Sequence, residues 1–246
     1  MDYLRSTLIW FFYILMLVVF YPPALMIWLL TVLFDRRLWL LHKYSCFWAS
    51  TYTWFNPYWR ISIEGKEKID PENVYIFISN HQSLVDILVI YRTFIHFKWI
   101  SKAELFRVPF AGWNMWANRY IALERGNRAS IVKMMEDAER TIQAGSSVMI
   151  FPEGTRSEDT RIIKFKEGAF KLAKQSETSI IPVVLDGTGD ALPPRGFVFK
   201  GKHTIRLRFL DPIPLEEIIS IDSKDLMIKT RELMIDELNK KSAANS

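Results

Sequence analysis

In the stretch VYIFISNHQSLVDILVIY, residues 74–91, His81 and Asp86 stand between an alternating apolar run that ends at Ser79 and a helical apolar pattern that resumes at Leu84. On one continuous helix a five-residue spacing separates two side chains by about 140°, so they do not meet. They meet only when the histidine belongs to the incoming loop and the aspartate to the first helical turn. With Ser83 as N-cap, Asp86 takes the third helical position, and its carboxylate can hold one imidazole nitrogen while the other accepts a proton. That arrangement is a general base directed at a hydroxyl. The same residues also read as a capping box, Ser83-x-x-Asp86, in which the carboxylate satisfies backbone donors and His81 is a turn residue. Taken alone, the segment leaves both readings open.

Three further clusters bear on the choice. FPEGTRS, residues 151–157, ends an apolar run with a turn that offers Glu153, Gly154, the hydroxyl of Thr155 and the guanidinium of Arg156. A planar guanidinium and the backbone N–H groups of a glycine turn suit phosphate oxygens, although Glu153 and Arg156 also read as a surface ion pair. Lys102 in ISKAEL and Arg125 in ALERG are ordinary on their own. Together these cations suggest a pocket for a phosphate of about two negative charges beside a proton acceptor. No GxSxG elbow surrounds Ser83, which disfavours an acyl-serine hydrolase, and the lone GTG at 187–189 is a weak nucleotide signal. His96 and His203 lie in or beside basic segments without a nearby acidic partner.

The period of the apolar residues specifies what carries these clusters. After RISIEG at 60–65, strands are predicted at 74–79, 97–101, 119–123, 147–151, 179–184 and 204–209, with Pro182 shaping an edge or a strand end. Helices are predicted at 84–94, 103–117, 127–144 and 167–176, and a polar amphipathic tail at 222–241 packs as a terminal helix or binds a partner. This alternation implies an α/β domain with a largely parallel sheet flanked by helices. In such a sheet ligands bind beyond the carboxyl ends of the strands, where all four polar clusters fall.

The amino end is of another character. No charged residue lies between Ser6 and Phe34, and YPP at 21–23 divides the apolar run. As one helix the run is roughly 44 Å long, against ~30 Å of hydrocarbon in a bilayer. Pro22 and Pro23 favour instead two arms folded as a hairpin that enters one leaflet. The apolar region is too long for a cleaved signal peptide. Six of the nine tryptophans lie in the first 59 residues, and 36–57 keeps apolar side chains at helical spacing behind Arg36, Arg37 and Lys43, as a helix on an anionic surface or a core helix would. The chain therefore divides into membrane-associated helices over 1–58 and an α/β domain over 59–246. Its 32 Lys and Arg against 27 Asp and Glu give +5, which favours anionic partners without choosing among lipid, nucleotide and nucleic acid. One cysteine, Cys46, excludes an internal disulfide, and four scattered histidines argue against a metal site.

NHQSLVD, ISKAELFRVPFAGW, RYIALERG, FPEGTRS and IIPVV occur in that order, and over about residues 60–215 the chain resembles the glycerolipid acyltransferases, in particular the 1-acyl-glycerol-3-phosphate acyltransferase branch. The apolar amino end also resembles that branch's N-terminal two-helix membrane-binding motif. Glu124 departs mildly from the Asp often found before the block's Arg. The resemblance implies transfer of a fatty acyl group from acyl-CoA or acyl-ACP to the sn-2 hydroxyl of lysophosphatidic acid, giving phosphatidic acid at a membrane, with the catalytic domain on the cytoplasmic face. It implies catalysis by His81 and Asp86, and acceptor binding by Lys102, Arg125, Glu153, Gly154, Thr155 and Arg156. No metal or permanently bound cofactor is expected, and backbone donors near the helix start are candidates to stabilise the thioester oxyanion. Other readings are transfer to glycerol-3-phosphate or another lysophospholipid, a non-catalytic phospholipid-binding protein, and a membrane-attached hydrolase.

Overall fold

A computed structural model describes residues 2–242. Helices α1 (Asp2–Thr31) and α2 (Trp39–Trp54) lead into strand β1 (Trp59–Glu64). Then follow β2 (Ile76–Ser79), α3 (Val85–Tyr91), β3 (Lys98–Lys102), α4 (Ala111–Ala117), β4 (Ile121–Leu123), α5 (Arg128–Gln143), β5 (Val148–Ile150) and α6 (Gly168–Gln175). The remainder is β6 (Ile180–Asp186), α7 (Thr188–Ala191), β7 (His203–Phe209), α8 (Leu215–Ser220) and α9 (Ser223–Ser242). The seven strands form one sheet in the order β1-β7-β6-β2-β5-β3-β4. Only the β6–β7 pairing is antiparallel. Strands β6, β2, β5, β3 and β4 consequently run the same way and share one carboxyl edge.

Alternation along the strands sends side chains to two cores. Phe77, Trp99, Met149 and Ile181 pack with α2, α3 and the inner face of α1, whereas Ile76, Ile100, Val148 and Ile180 pack with α5, α6 and α9. The predicted α/β class, with a largely parallel sheet flanked by helices, is what the chain adopts, and the tail forms α9 against the second core.

Three local expectations fail for identifiable reasons. The helix predicted over 103–117 divides into a 3-10 turn at Ala103–Arg107 and α4, because Pro109 drives Val108 into extended geometry. Pro182 sits inside β6, between two paired neighbours, and not at an edge. It lies between the Val183–Phe209 pairing and the isolated Ile180–Ile213 bridge, so its missing donor falls in a break of the antiparallel ladder, while its carbonyl still accepts from Leu210 N–H at 2.9 Å. The hairpin at Pro22-Pro23 does not form: α1 continues through both prolines. Packing outweighs the local penalty there, as Phe20 stacks on Trp48 at 6.0 Å and Tyr21 packs edge-on against Phe110 and Trp113.

Helix α1 lies against the domain along its length. Arg5 donates to the Phe199 carbonyl, Ser6 accepts from Phe199 N–H, and Trp28 meets Trp116 near the other end. Its opposite face leaves Leu8, Phe11, Val18, Met26, Leu29 and Leu30 exposed. Helix α2 is a core helix over most of its surface, and Trp39, Phe47, Trp54 and the following Phe55 are exposed along its edge.

Strand β2 ends at Ser79, yet pairing with β6 continues through a side chain. The Asn80 amide donates to the Leu185 carbonyl at 2.9 Å and accepts from Leu185 N–H at 2.8 Å. Asn80→Ala strands both buried backbone groups, and we expect it to lower unfolding free energy in denaturant titrations by about 1–3 kcal/mol and to speed hydrogen exchange at the Leu185 amide. Unchanged stability and exchange would refute the clamp.

Candidate active site

The carboxyl ends of β2 and β5 lie side by side, and the loop after each holds the other. His81 N–H donates to Glu153 Oε1 at 2.7 Å, and Ser157 N–H donates to the His81 carbonyl at 2.8 Å. The PEGTRS turn thus grips the backbone of the histidine from both sides. Glu153 Oε2 accepts from Ile163 N–H at 3.2 Å, and Arg231 of α9 donates to the carbonyls of Ile162 and Ile163 at 2.8 Å each. Burial pushes the Glu153 carboxyl up to about 7, against the pull of its two backbone donors, with nearby Asp86 adding to the rise and Arg231 opposing it.

The imidazole is held with equal definition. Its Nδ1 lies 2.7 Å from Asp86 Oδ2, an oxygen that also accepts from Gln82 N–H at 2.6 Å and Ser83 N–H at 2.8 Å. A carboxylate oxygen facing three nitrogens acts as an acceptor, so Nδ1 carries the proton and Nε2 the lone pair. The His81 ring stacks on Phe151 at 4.0 Å and 11°, and Phe151 stacks on Trp99 at 5.5 Å. Asp86 is fully buried and the His81 side chain only 12% exposed.

Capping box and His/Asp pair prove to be the same structure. The carboxylate makes the return bond of the box to Ser83 N–H, but the Ser83 hydroxyl contacts Val85 N–H at 3.2 Å and donates to the Leu192 carbonyl at 2.6 Å. One expectation is corrected here. The backbone donors of Gln82 and Ser83, at the helix start, already serve Asp86 and are not free for an oxyanion.

The remaining sequence-selected residues occupy the same sheet edge at different depths. Lys102 ends β3, opposite Leu123, and is exposed with Glu104 at 3.2 Å; Arg125 follows β4 two residues beyond that partner and is also exposed. Arg156 is half-buried and Thr155 exposed on the PEGTRS turn. Glu153 is buried with its oxygens turned to backbone donors, which makes it a clamp on the turn.

Sequence reasoning missed several residues. Gly154 has φ +69, and a Cβ built there would lie 2.8 Å from Lys166 Nζ, so an additional cation lies over the glycine turn. Gln82 donates to the Thr160 carbonyl at 2.7 Å and accepts from the Thr188 hydroxyl at 3.2 Å, tying the histidine loop to α7. The available signals were the FKEG run at 165–168 and the amides flanking His81.

The acyltransferase family model matches residues 60–186, from β1 through the last residue of β6. A 1-acyl-sn-glycerol-3-phosphate acyltransferase of Chlamydomonas reinhardtii is 34% identical over 167 residues, 67% of this chain and 49% of that protein. The chloroplastic enzyme of that name from Arabidopsis thaliana is 36% identical over 62% of this chain and 42% of its own, and that of Saccharomyces cerevisiae is 31% identical over 72% and 59%. The chain spans about half the length of the algal and plant relatives. Among solved structures, the 1-acyl-sn-glycerophosphate (LPA) acyltransferase PlsC of Thermotoga maritima superposes with a TM-score of 0.80 over 99% of this chain and 98% of that one, at 23% identity, a likeness of fold. With a family model covering more than half the chain, and the His81–Asp86 pair lying inside the matched region, this protein belongs to the acyltransferase family.

Proposed function

We propose that the protein transfers a fatty acyl group from acyl-CoA or acyl-ACP to the sn-2 hydroxyl of lysophosphatidic acid, forming phosphatidic acid. The observation that carries this reading is the Nδ1–Asp86 bond, which directs the Nε2 lone pair of His81 outward beside the basic PEGTRS turn. His81 Nε2 removes the hydroxyl proton as the oxygen forms its bond to the thioester carbonyl carbon. When the tetrahedral intermediate collapses, the carbon–sulfur bond breaks, and the thiolate leaves with the proton from the imidazolium. No acyl-enzyme forms. Buried Asp86 stabilises the transient imidazolium and holds its tautomer. Arg156 and Lys166 at the glycine turn, with Lys102 and Arg125 farther along the same edge, attract the acceptor phosphate. Gly154 and Thr155 leave the turn open to it, and Glu153 keeps the turn fixed to His81. The donor is a substrate, and no bound cofactor takes part.

Membrane association follows from the exposed face of α1, which is long and apolar enough to cross a membrane yet is packed along the domain. Contacts Phe12–Phe55, Phe20–Phe47 and Trp28–Trp116 join it to aromatic side chains exposed on α2 and α4. This continuous apolar face suits a helix lying in one leaflet, from which an acceptor lipid reaches the site without crossing water. The cations Arg36, Arg37 and Lys43 after α1 favour the cytoplasmic leaflet.

Purified full-length protein is expected to convert lysophosphatidic acid and acyl-CoA to phosphatidic acid, and His81→Ala to lose about 10²–10⁴-fold in rate. Asp86→Asn can retain the three donors to its oxygen, so we expect it to stay folded and lose at least about 10²-fold. Equal rates in parent and His81→Ala would overturn the general base, and free fatty acid in place of the diacyl product would identify a hydrolase.

The raised carboxyl of Glu153 gives a separate test. A folded group that keeps its proton to about 7 against an ordinary 4.5 contributes stability that is full below about 4.5 and lost as the pH rises through about 7. The difference in unfolding free energy between the parent and Glu153→Gln should therefore shift against the parent across that window. A flat difference would refute the buried proton.

A further inference from the structure

Beyond the catalytic edge, the opposite edge of the sheet holds a cavity of about 1060 Å³. Six cations line it: Arg36 and Arg37 after α1, Lys98 at the start of β3, Arg119 before β4, and Lys133 and Arg140 on α5. The one lining carboxylate, Asp137, is already engaged by Lys133 at 3.7 Å and by Arg140. Removing these residues from the count of 32 basic and 27 acidic side chains leaves the rest of the chain with equal numbers of the two signs. The whole positive excess is thus gathered in one basin.

Lys133 and Arg140 share Asp137, while Arg36, Arg37, Lys98 and Arg119 form no salt bridge among the described residues. Lys98 is 4% exposed, and its Nζ donates to the Arg37 carbonyl at 2.8 Å, while Arg119 donates to the Arg36 carbonyl at 3.3 Å. Neutral carbonyls orient these cations without cancelling them. Burial, Arg119 and Arg37 draw the Lys98 amine down to about 7, while Asp35 opposes the shift. A buried amine in this position gains from an anion beside it. Lys98 lies four residue steps, roughly 13 Å, before Lys102 at the carboxyl end of β3, and neither the His81 loop nor the PEGTRS turn lines the chamber, so it is distinct from the His81 site.

A second compartment of about 340 Å³ adjoins it, lined by Tyr21, Leu25, Trp28, Phe106, Trp113, Trp116 and Ala117. Trp28, Phe106, Trp116 and Ala117 form walls of both. No charged side chain lines this slot, and α1 supplies one side of it. A cationic chamber that shares the walls Trp28, Phe106, Trp116 and Ala117 with an aromatic slot, both bordered by an apolar helix with an exposed face, has the polarity of a lipid molecule. From this geometry we propose that the two compartments form a non-catalytic site for an anionic phospholipid, the cations holding its phosphate and the slot one of its chains. Phosphates of coenzyme A share the headgroup chemistry, but they give no reason for the aromatic slot. Such a site fixes the domain to an anionic leaflet independently of turnover.

Binding is tested on the full chain with vesicles of phosphatidylcholine, alone or containing phosphatidic acid or phosphatidylglycerol, by co-sedimentation without acyl donor. The parent is expected to prefer the anionic vesicles. Arg119→Gln with Arg140→Gln should cut that preference roughly thirtyfold, given about 1 kcal/mol for each cation near the surface. Ala122→Trp fills the chamber from exposed Ala122 without removing charge, and it should cut the preference as well. Retention of the preference in Ala122→Trp, with correct folding verified by circular dichroism, would show diffuse surface attraction and overturn the site. Coenzyme A that displaces the protein from anionic vesicles, and binds the Arg119→Gln/Arg140→Gln variant more weakly than the parent, would overturn it in favour of a donor site. Because no turnover is read, failure here leaves the acyl-transfer assignment untouched.

Discussion

One carboxylate oxygen, Asp86 Oδ2, organises the site. It gathers the imidazole Nδ1 and the backbone N–H groups of Gln82 and Ser83 within 2.8 Å, at a position with no exposure to water. Three donors around one oxygen set the path of the loop, the start of α3 and the orientation of the ring. The negative end of the group sits in the first turn of the helix, where the backbone dipoles favour it. The helix start and the His81–Asp86 pair are therefore the same set of bonds, which explains how the five residues between β2 and α3 suffice to build both.

Around this oxygen the molecule separates its tasks by sheet direction. Five strands that run the same way deliver the loops bearing the imidazole and the glycine turn to one edge, and the amino ends of β3 and β4, with Ser146 before β5, border the cationic basin. Helix α1 adjoins the basin through Trp28, with Val32 just after its end, and also shares the main core through Tyr13. The amino-terminal helix is thus part of the domain's wall as well as its apolar exterior. That double use accounts for its continuity through Pro22 and Pro23: the helix is held from one side at many points, Phe20 and Tyr21 just before the prolines among them.

Much of the fold was legible because each strand carries its own alternation. Ile76, Phe77 and Ile78 divide between two cores as period two requires, and the loops after them carry turn chemistry readable at short range. Local rules failed where a distant contact outweighed them. Nothing near Pro22 reveals Trp48, and nothing near Pro182 reveals that β7 has ended beside it. The same limit applied to the site. His81, Asp86 and Arg156 were visible by type and spacing, whereas Asn80 acts on Leu185, Gln82 on Thr160 and Arg231 on Ile162 and Ile163, pairs that only the folded chain creates. The cationic basin draws on four separated segments, none of which is remarkable in charge alone.

The double backbone grip between the glycine turn and His81 has a consequence for substrate choice. Glu153 and Ser157 bond the N–H and carbonyl of the same residue whose ring abstracts the proton in the proposed reaction. A phosphate drawn onto the turn therefore acts on the frame of the base itself, and recognition and chemistry share one rigid body. Binding energy from the remote group is then available at the reacting centre. In the proposed reaction, an acceptor that keeps the hydroxyl but lacks the phosphate would forfeit turnover number along with affinity, and discrimination would be exercised in the transition state.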